Sequence, residues 1–407
     1  MIRTRTLSRR RVLAGTGAAV ASLGFPAVLR AQAQVVKIGI LHPVTGALSY
    51  SGTQARHGAR IRIEEINAAG GIKSLAGAKI EPIYADCESK PDVTTAEVDK
   101  LADDGAALIL GPYASGLALV STQAAAKHNM ANVVDVGVVD AIVERGLTNT
   151  FRFAPGLKKV TSTALENLVK INDAAGKPAK TVFIIHEDSA FGTGMAKLLN
   201  DELPKRGFTI LGTEAHGTPT RDFTNIVLKV KAADPDLVIP ANYYNEYVLF
   251  VRTLVQQRVQ PKAVYSILGG GASSIKFVHE FNAEAQYVMD CNHWYDPRKP
   301  ASKALTQKLA AQKIDLTYEV MLNYACMQLI EDALERAASA DRQKIIAALA
   351  ASTLSDHIMP YGPTKFVNGN NEGAQPVNTQ IRGESIEVIF PKEFATAEAV
   401  FPIPHRA

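Results

Sequence analysis

The sequence predicts an α/β protein of two lobes, each built on a mostly parallel sheet, and three observations lead to this prediction. The chain has 407 residues, of which 47% are hydrophobic and 21% charged, and this length favours about two globular domains. After residue 33, short apolar runs alternate with helical stretches. The alternation starts again near residue 181, and such β-α series form parallel sheets with helices on both faces.

The first series of elements opens with a β-rich run at 35–41 and a Gly-rich turn. A helix follows through Ile61 and Ile66 and ends at Gly70-Gly71, since paired glycines stop a helix. The next strands are predicted at 80–84, 107–111 and 133–136, and the next helices at 93–104 and from residue 115.

The second series opens with a strand at 181–185 and a helix over 192–203 that Pro204 stops. Residues 361–404 are turn-rich and β-like. Two such halves predict a ligand cleft between them, at the carboxyl ends of the strands. Further strands are predicted at 208–211, 237–240 and 264–267, and late helices at 302–312 and 320–338.

The first 33 residues have the composition of a signal peptide, with six arginines and no acidic residue. Arg9-Arg10-Arg11 precede an apolar stretch at 14–27, and Ala31-Gln32-Ala33 supplies small residues for a cut near Ala33. The apolar stretch is short and rich in Gly and Ala, so a signal-anchor is the weaker alternative. We expect export to the periplasm, by the twin-arginine pathway or, if the arginines are only a basic n-region, by the general one.

Removal of this segment changes the charge of the protein. The whole chain has 44 Lys and Arg against 40 Asp and Glu; without the six arginines the balance is 38 against 40, a net charge of about −2. The remaining chain lacks the positive charge that binding to nucleic acid would need.

Cys87, Cys291 and Cys326 are an odd number, so one disulfide of undetermined pairing is possible in an oxidising compartment. Cys326 lies in an apolar helical stretch, which predicts a buried thiol.

The catalytic motifs of the common enzyme classes are missing from the sequence. It contains no G-x-S-x-G, H-E-x-x-H or G-x-x-x-x-G-K-[ST] pattern, and its nine histidines share no metal-ligand spacing. Gly192-Thr193-Gly194 opens a helix after a strand but lacks the third glycine of a dinucleotide site. We therefore expect no catalytic residue, no metal site and no cofactor.

Three loops after predicted strands are suited to ligand recognition. The first, 111–116, would place the Ser115 hydroxyl and the N–H of Gly116 at the start of a helix, where the dipole favours anions; Ser115 could equally serve as a helix cap. The second, 135–140, offers a glycine for close approach of the backbone. The third, 268–272, is Gly-rich and equally compatible with a flexible turn.

Aromatic residues lie close to these loops in the sequence. Aromatic walls with a few polar anchors suit a small organic ligand, although each aromatic taken alone is more often part of a core. The aromatic candidates are Tyr50, Phe191, Tyr243-Tyr244 and Trp294-Tyr295.

From residue 36 to about residue 404 the chain resembles the branched-chain amino-acid-type (type I) periplasmic binding proteins that feed ABC importers. The resemblance implies two Rossmann-like lobes joined by three crossover strands, expected near 153–156, 291–296 and 355–361. Lobe 1 would then be 34–155 plus 293–355, and lobe 2 156–292 plus 356–407. The motifs that carry the resemblance are Ile38-Gly39-Ile40, Thr45-Gly46, Ile66 to Ile72, Leu110-Gly111-Pro112 with Ser115, Thr148 to Arg152, Asp188 to Gly192 and Tyr361 to Phe366.

The resemblance also implies roles for individual residues. Ser115 matches the family's serine that binds the ligand carboxylate, and Phe191 and Tyr243 match tyrosines. Leu268 or Gly269 matches the acidic residue that pairs with the ligand ammonium. The segment with Val136, Gly137 and Val138 matches the one where an alanine carbonyl and a threonine hydroxyl hold the ligand, and Ser51, beside Tyr50, matches an aromatic wall position. The candidate ligand-binding residues are therefore Tyr50, Ser51, Ser115, Gly116, Val136, Gly137, Val138, Phe191, Tyr243, Leu268 and Gly269.

Two departures from the family pattern bear on the ligand. The threonine is Val138, and Leu268-Gly269 replace the acidic residue, which would leave a buried ammonium unpaired at a cost of several kcal/mol. We therefore expect an aromatic or aliphatic carboxylate or an amide, with an α-amino acid paired to Asp135 or Asp140 as the alternative. The expected partners are a small organic solute and the membrane subunits of an ABC permease, and we expect the binding protein to be monomeric. The alternative functions are a ligand sensor of the same fold and an exported enzyme.

Overall fold

The computed structural model describes residues 35–404. The predicted signal peptide, with its arginines and the cut near Ala33, lies outside this range. Among the residues within it, no helix is long and apolar enough to cross a membrane.

The first part of the chain forms a parallel sheet with helices packed on it. Its inner strands β1, β3 and β4 are buried along almost their whole length, as expected for a parallel sheet covered on both faces. The elements are β1 Val36–His42, α1 Ser49–Ala68, β2 Ile80–Asp86, α2 Pro91–Asp103, β3 Leu108–Leu110, α3 Ser115–Lys127, β4 Ala131–Val134 and β5 Thr150–Arg152.

The second part repeats the pattern and is followed by helices that return to the first sheet. The elements are α4 Leu157–Ala174, β6 Thr181–Glu187, α5 Ala190–Glu202, β7 Thr209–His216, α6 Thr224–Ala233, β8 Leu237–Ala241, α7 Tyr244–Gln256, β9 Ala263–Ile267, α8 Ile275–Glu280, α9 Asn282–Ala285, β10 Met289–Asn292, α10 Pro300–Gln312, α11 Tyr318–Ala337, α12 Arg342–Ala350, β11 Phe366–Val367, β12 Asn370–Asn371, β13 Val377–Arg382 and β14 Ser385–Phe390.

Two seven-stranded sheets result, with the orders β11-β12-β5-β4-β3-β1-β2 and β14-β13-β10-β9-β8-β6-β7. All pairs are parallel except those of β11 with β12, β10 with β13 and β13 with β14. The prediction of two α/β lobes with mostly parallel, open sheets is thus confirmed. Helix α11 packs along α1, which fixes the late helices to the first lobe.

The chain passes between the sheets after β5, after β10 and after β12. The third passage was expected near 355–361, but Asn370 of β12 pairs with Arg152 of β5 in the first sheet. The side-chain amide of Asn371 also donates to the Phe153 carbonyl at 2.9 Å. Residues 366–371 therefore lie in the first sheet rather than in lobe 2, and we place the third crossing between Asn371 and Val377.

The three cysteines are buried and carry free thiols. Cys326 is 0% exposed on α11, as the sequence predicted. No disulfide joins these residues, so the bridge left open by the sequence does not form in this structure.

Candidate functional site

A small cavity lies between the two lobes, at the carboxyl ends of β3, β4, β6, β8, β9 and β10. Its walls come from both lobes and contain no charged side chain. The lining residues are Tyr113, Ala114, Ser115, Val136, Val138, Phe191, Tyr243, Leu268, Asn292 and Tyr318.

Ser115 is the polar residue that the first lobe presents to the cavity. Its hydroxyl oxygen accepts hydrogen bonds from the backbone N–H of Val138 at 3.1 Å and of Val139 at 3.3 Å. Because both bonds use the oxygen as acceptor, the hydroxyl hydrogen is left to donate, and it has no acceptor among residues 35–404. Ser115 thus joins two lining loops and offers a donor to a ligand.

Backbone N–H groups add to this donor at the start of α3. Those of Ser115, Gly116 and Leu117 donate to no acceptor in the part of the chain that the structure describes, and no side chain caps the helix. Of these three residues Ser115 lines the cavity, and Gly116 and Leu117 line the opening beside it. The first N–H groups of a helix, together with its dipole, favour an anion. Ala114, just before the helix, has φ +83°, a strained value for a residue other than glycine that is typical of functional sites.

Aromatic rings form most of the remaining wall. The ring centroid of Tyr243 lies 5.6 Å from that of Phe191 and 5.9 Å from that of Tyr113. The hydroxyls of Tyr113 and Tyr318 are hydrogen-bonded at 3.0 Å. Burial raises the pKa of Tyr113, Tyr243 and Tyr318 above the ordinary tyrosine value, so all three are neutral at physiological pH. The wall suits a flat or branched apolar body.

Of the two residues that the resemblance matched to the family's acidic residue, Leu268 lines the cavity and Gly269 does not. A Cβ on Gly269 would lie 2.7 Å from the Ser266 Cβ and 2.9 Å from the Tyr247 ring, so that position points into the second lobe. Leu268 has φ +58°, a second strained residue in the wall. The wall is therefore apolar at Leu268.

Neither alternative ammonium partner lines the cavity. Asp135 is fully buried, accepts from the Asn323 amide at 2.9 Å and lies 3.8 Å from His42. Asp140 pairs with the Arg152 guanidinium at 3.2 Å and accepts from the Lys158 N–H at 3.2 Å. Both carboxylates are thus engaged with other protein groups, Asp135 within the first lobe and Asp140 with Arg152 and the start of α4.

Six of the eleven predicted residues line the cavity, and the other five lie elsewhere. Besides Gly269, they are Tyr50, Ser51, Gly116 and Gly137. Tyr50 bridges the lobes instead: its hydroxyl is hydrogen-bonded to the Ser274 hydroxyl and donates to the Asp315 carboxylate, both at 3.1 Å, and its ring stacks at 4.0 Å on Tyr244.

The remaining three predicted residues lie close behind or beside the wall. Ser51 is buried on α1, close to Tyr113 and Glu319. Gly116 borders a neighbouring opening next to Ala114. Gly137 is held at a close approach, since a Cβ there would lie 2.9 Å from the Ala118 Cβ.

Trp294 and Tyr295, also considered from the sequence, stack on each other at 5.1 Å in the second crossing and do not line the cavity.

Four lining residues were missed from the sequence: Tyr113, Ala114, Asn292 and Tyr318. Tyr113 and Ala114 belong to the loop that sequence reasoning selected, so the strand-to-helix signal was already there. Asn292 ends β10, and Tyr318 opens α11 after the Thr317 cap, whose side chain accepts from the Val320 N–H. The only local signal for Asn292 was its position as a polar residue at a strand end, and that for Tyr318 was the helix cap that precedes it.

Arg152 is a further residue that shapes the site. It is 1% exposed, and its guanidinium donates to the carbonyls of Val138 at 2.6 Å and Val139 at 3.1 Å. It also donates to the Asn370 side chain at 2.7 Å. One buried cation thereby ties the loop that lines the cavity to the strand of the third crossing.

Buried carboxyl groups lie behind the wall. Burial raises the pKa of Glu319, next to Tyr318, to about 7 and that of Asp290, two residues before Asn292, to about 6. Within residues 35–404 no group of three or more His, Cys, Asp and Glu is arranged to hold a metal ion. The arrangement is that of a binding cavity whose polar groups donate hydrogen bonds.

Comparisons with known proteins agree with this geometry. A family model described as periplasmic binding protein matches residues 35–380. The Leu/Ile/Val-binding protein homolog 8 of Brucella suis is 26% identical over 408 residues, covering 97% of this chain and 99% of the relative. The homolog 7 of Brucella melitensis is 26% identical over 380 residues, covering 90% and 94%.

Solved structures share the fold. A solute-binding protein of an ABC transporter from R. palustris, in complex with benzoate, superposes with a TM-score of 0.77 at 18% identity, covering 90% of this chain and 97% of that one. The branched-chain amino acid transporter substrate-binding protein of Streptococcus pneumoniae, in complex with isoleucine, has a TM-score of 0.74 at 21% identity, covering 91% and 100%. With a family model that spans most of its length, this chain belongs to the periplasmic binding protein family, of the branched-chain amino-acid type.

Proposed function

We propose that this protein is the extracytoplasmic binding component of an ABC uptake system and that it captures a small carboxylate, aromatic in preference to aliphatic, by closure of its lobes. The observation that carries the proposal is the chemistry of the cavity wall. It presents the Ser115 hydroxyl and the N–H of Ser115, the first residue of α3, as donors, and it contains no charged side chain. Donors at a helix start suit an anion, and the rings of Tyr113, Phe191 and Tyr243 suit an apolar body.

The absence of an acidic lining residue argues against a free α-amino acid. An ammonium facing Leu268 would be desolvated without a counter-charge, at a cost of several kcal/mol. The two carboxylates considered for this role, Asp135 and Asp140, are engaged elsewhere. The benzoate complex of the R. palustris protein supports the idea that this fold can enclose an aromatic acid.

Capture and hand-over to a membrane permease need no covalent chemistry, and we propose that the protein is not an enzyme. The hydrogen bond between Tyr50 of the first lobe and Ser274 of the second would help to hold a closed form that ligand binding favours. The basic leader supports delivery to the periplasm, where a soluble monomer would meet its solute and the permease.

A thermal-shift series on the mature protein tests this function. Benzoate, cyclohexanecarboxylate, benzamide and leucine are compared at equal concentrations. An acid present at about 100 times its Kd stabilises by about 2.7 kcal/mol, which raises Tm by roughly 3–4 °C for a chain of this length. We expect the largest shift with benzoate and none with leucine, and titration calorimetry then gives the Kd. Stabilisation by leucine alone would contradict the proposal.

A further inference from the structure

The second lobe places one amide side chain in the wall of the cavity, that of Asn292 at the end of β10. The residue is 0% exposed. Asp290 precedes it by two positions on the same strand, so the two side chains share one face of the sheet, and Asp290 is 1% exposed.

Two hydrogen bonds fix the orientation of this amide. The Asn292 Nδ2 donates to the Asp290 carboxylate at 2.9 Å, and the Asn292 Oδ1 accepts from the His293 N–H at 2.7 Å. A carboxylate only accepts and a backbone N–H only donates, so a flipped amide would lose both bonds. Nδ2 carries a second hydrogen, and that hydrogen has no acceptor among residues 35–404. Asn292 therefore offers the cavity a donor.

Asp290 holds the neighbouring wall in the same way. Its carboxylate also accepts from the Gly269 N–H at 3.0 Å and from the Ser273 hydroxyl at 2.7 Å. One buried carboxylate thus fixes both Asn292 and the loop that carries Leu268. Three donors offset the cost of burying this group, and with a pKa of about 6 it is mostly ionised at neutral pH.

We infer that Asn292 is the specificity-determining residue of the second lobe, that Asp290 positions it, and that the ligand carries an oxygen acceptor in addition to its carboxylate. This inference rests on the proposed function. Ser115 and α3 donate from the first lobe, and Asn292 donates from the second, so a ligand with acceptors at two places bridges the lobes when they close. The class that fits is an aromatic acid with a hydroxyl, ether or keto oxygen on the ring.

Matched ligand pairs test this inference. The 2-, 3- and 4-methoxybenzoates are each compared with the ethylbenzoate of the same substitution pattern, which replaces the ether oxygen by a methylene at nearly constant shape. One hydrogen bond of about 1–1.5 kcal/mol corresponds to a preference of roughly 5- to 10-fold. We expect wild-type protein to prefer the methoxy acid by this factor in at least one pair, measured as a ratio of Kd values by titration calorimetry.

Asn292→Leu should abolish that preference while benzoate still binds, and Asp290→Asn should reduce it. Asn378→Leu is the control, because Asn378 is a buried amide on the adjacent strand whose bonds go to Tyr265 and Asn167. It should keep the wild-type ratio even if it lowers stability. A ratio unchanged in Asn292→Leu, or near one in wild type while benzoate binds, overturns the role of Asn292 and leaves the proposed function standing. Failure of wild type to bind any of the acids overturns both.

Discussion

Replacement of Ser115 by alanine separates a ligand-binding role from a purely structural one. In the unliganded protein the change leaves the N–H groups of Val138 and Val139 without their acceptor. Val138 is buried and Val139 is partly exposed, so water can accept a hydrogen bond from the N–H of Val139 but not from that of Val138. One unsatisfied buried donor costs about 1–3 kcal/mol, and we expect the free energy of unfolding to fall by this amount.

The same change removes the hydroxyl hydrogen that faces the cavity. A donor to an anionic ligand contributes about 1–3 kcal/mol, so the Kd for benzoate should rise roughly 5- to 150-fold. Titration calorimetry gives the Kd, and urea unfolding gives the stability. Ser121→Ala is the matched control: Ser121 is on the same helix, is buried and donates to Asn132. It should lose stability and keep the wild-type Kd. An unchanged Kd in Ser115→Ala would show that Ser115 only joins two loops.

Three further predictions concern charge and closure. Leu268→Glu places a carboxylate in the wall. The Kd for benzoate should then rise at least about 10-fold, and leucine binding should appear in calorimetry. No change in either would refute the placement of Leu268 in the cavity wall. Glu319 has a folded-state pKa of about 7 against an ordinary 4.5, so the folded form binds its proton more tightly. The contribution of this group to stability should therefore fall by about 3 kcal/mol as pH rises from 4.5 to above 7. Glu319→Gln should remove that share of the slope in urea unfolding, and an identical slope would contradict it. Tyr50→Phe removes the hydrogen bonds to Ser274 and Asp315 but keeps the ring. The rate of ligand dissociation, measured by stopped-flow, should therefore rise roughly fivefold. An unchanged rate would count against a bridge between the lobes.

The fold was predictable because its inner strands are buried on both faces and so appear in the sequence as apolar runs. Strand β5, Thr150–Arg152, is too short and too polar to show such a pattern. Strands β11 and β12 have two residues each. Their place in the first sheet depends on long-range contacts such as Arg152 to Asn370, which no local pattern records, and this is why the third crossing was misplaced.

The site was predictable where it follows directly from strand ends. Ser115, Val138 and Leu268 lie in the loops that follow strands, and parallel strands bring such residues to one edge of a sheet. Tyr318 reaches the cavity only because the chain crosses between the lobes and returns along α1. The resemblance likewise gave Tyr50 a place in the wall, whereas the lobes meet so closely that its hydroxyl bridges them.

The central claim is that the cavity selects a carboxylate without an amine. Mass spectrometry of the small molecules released when freshly purified protein is denatured tests it most directly, with Ser115→Ala purified in parallel as a control for carry-over. The account predicts a carboxylic acid without an amino group, close to one equivalent in wild type and depleted in the variant. An α-amino acid such as leucine in that position would contradict it.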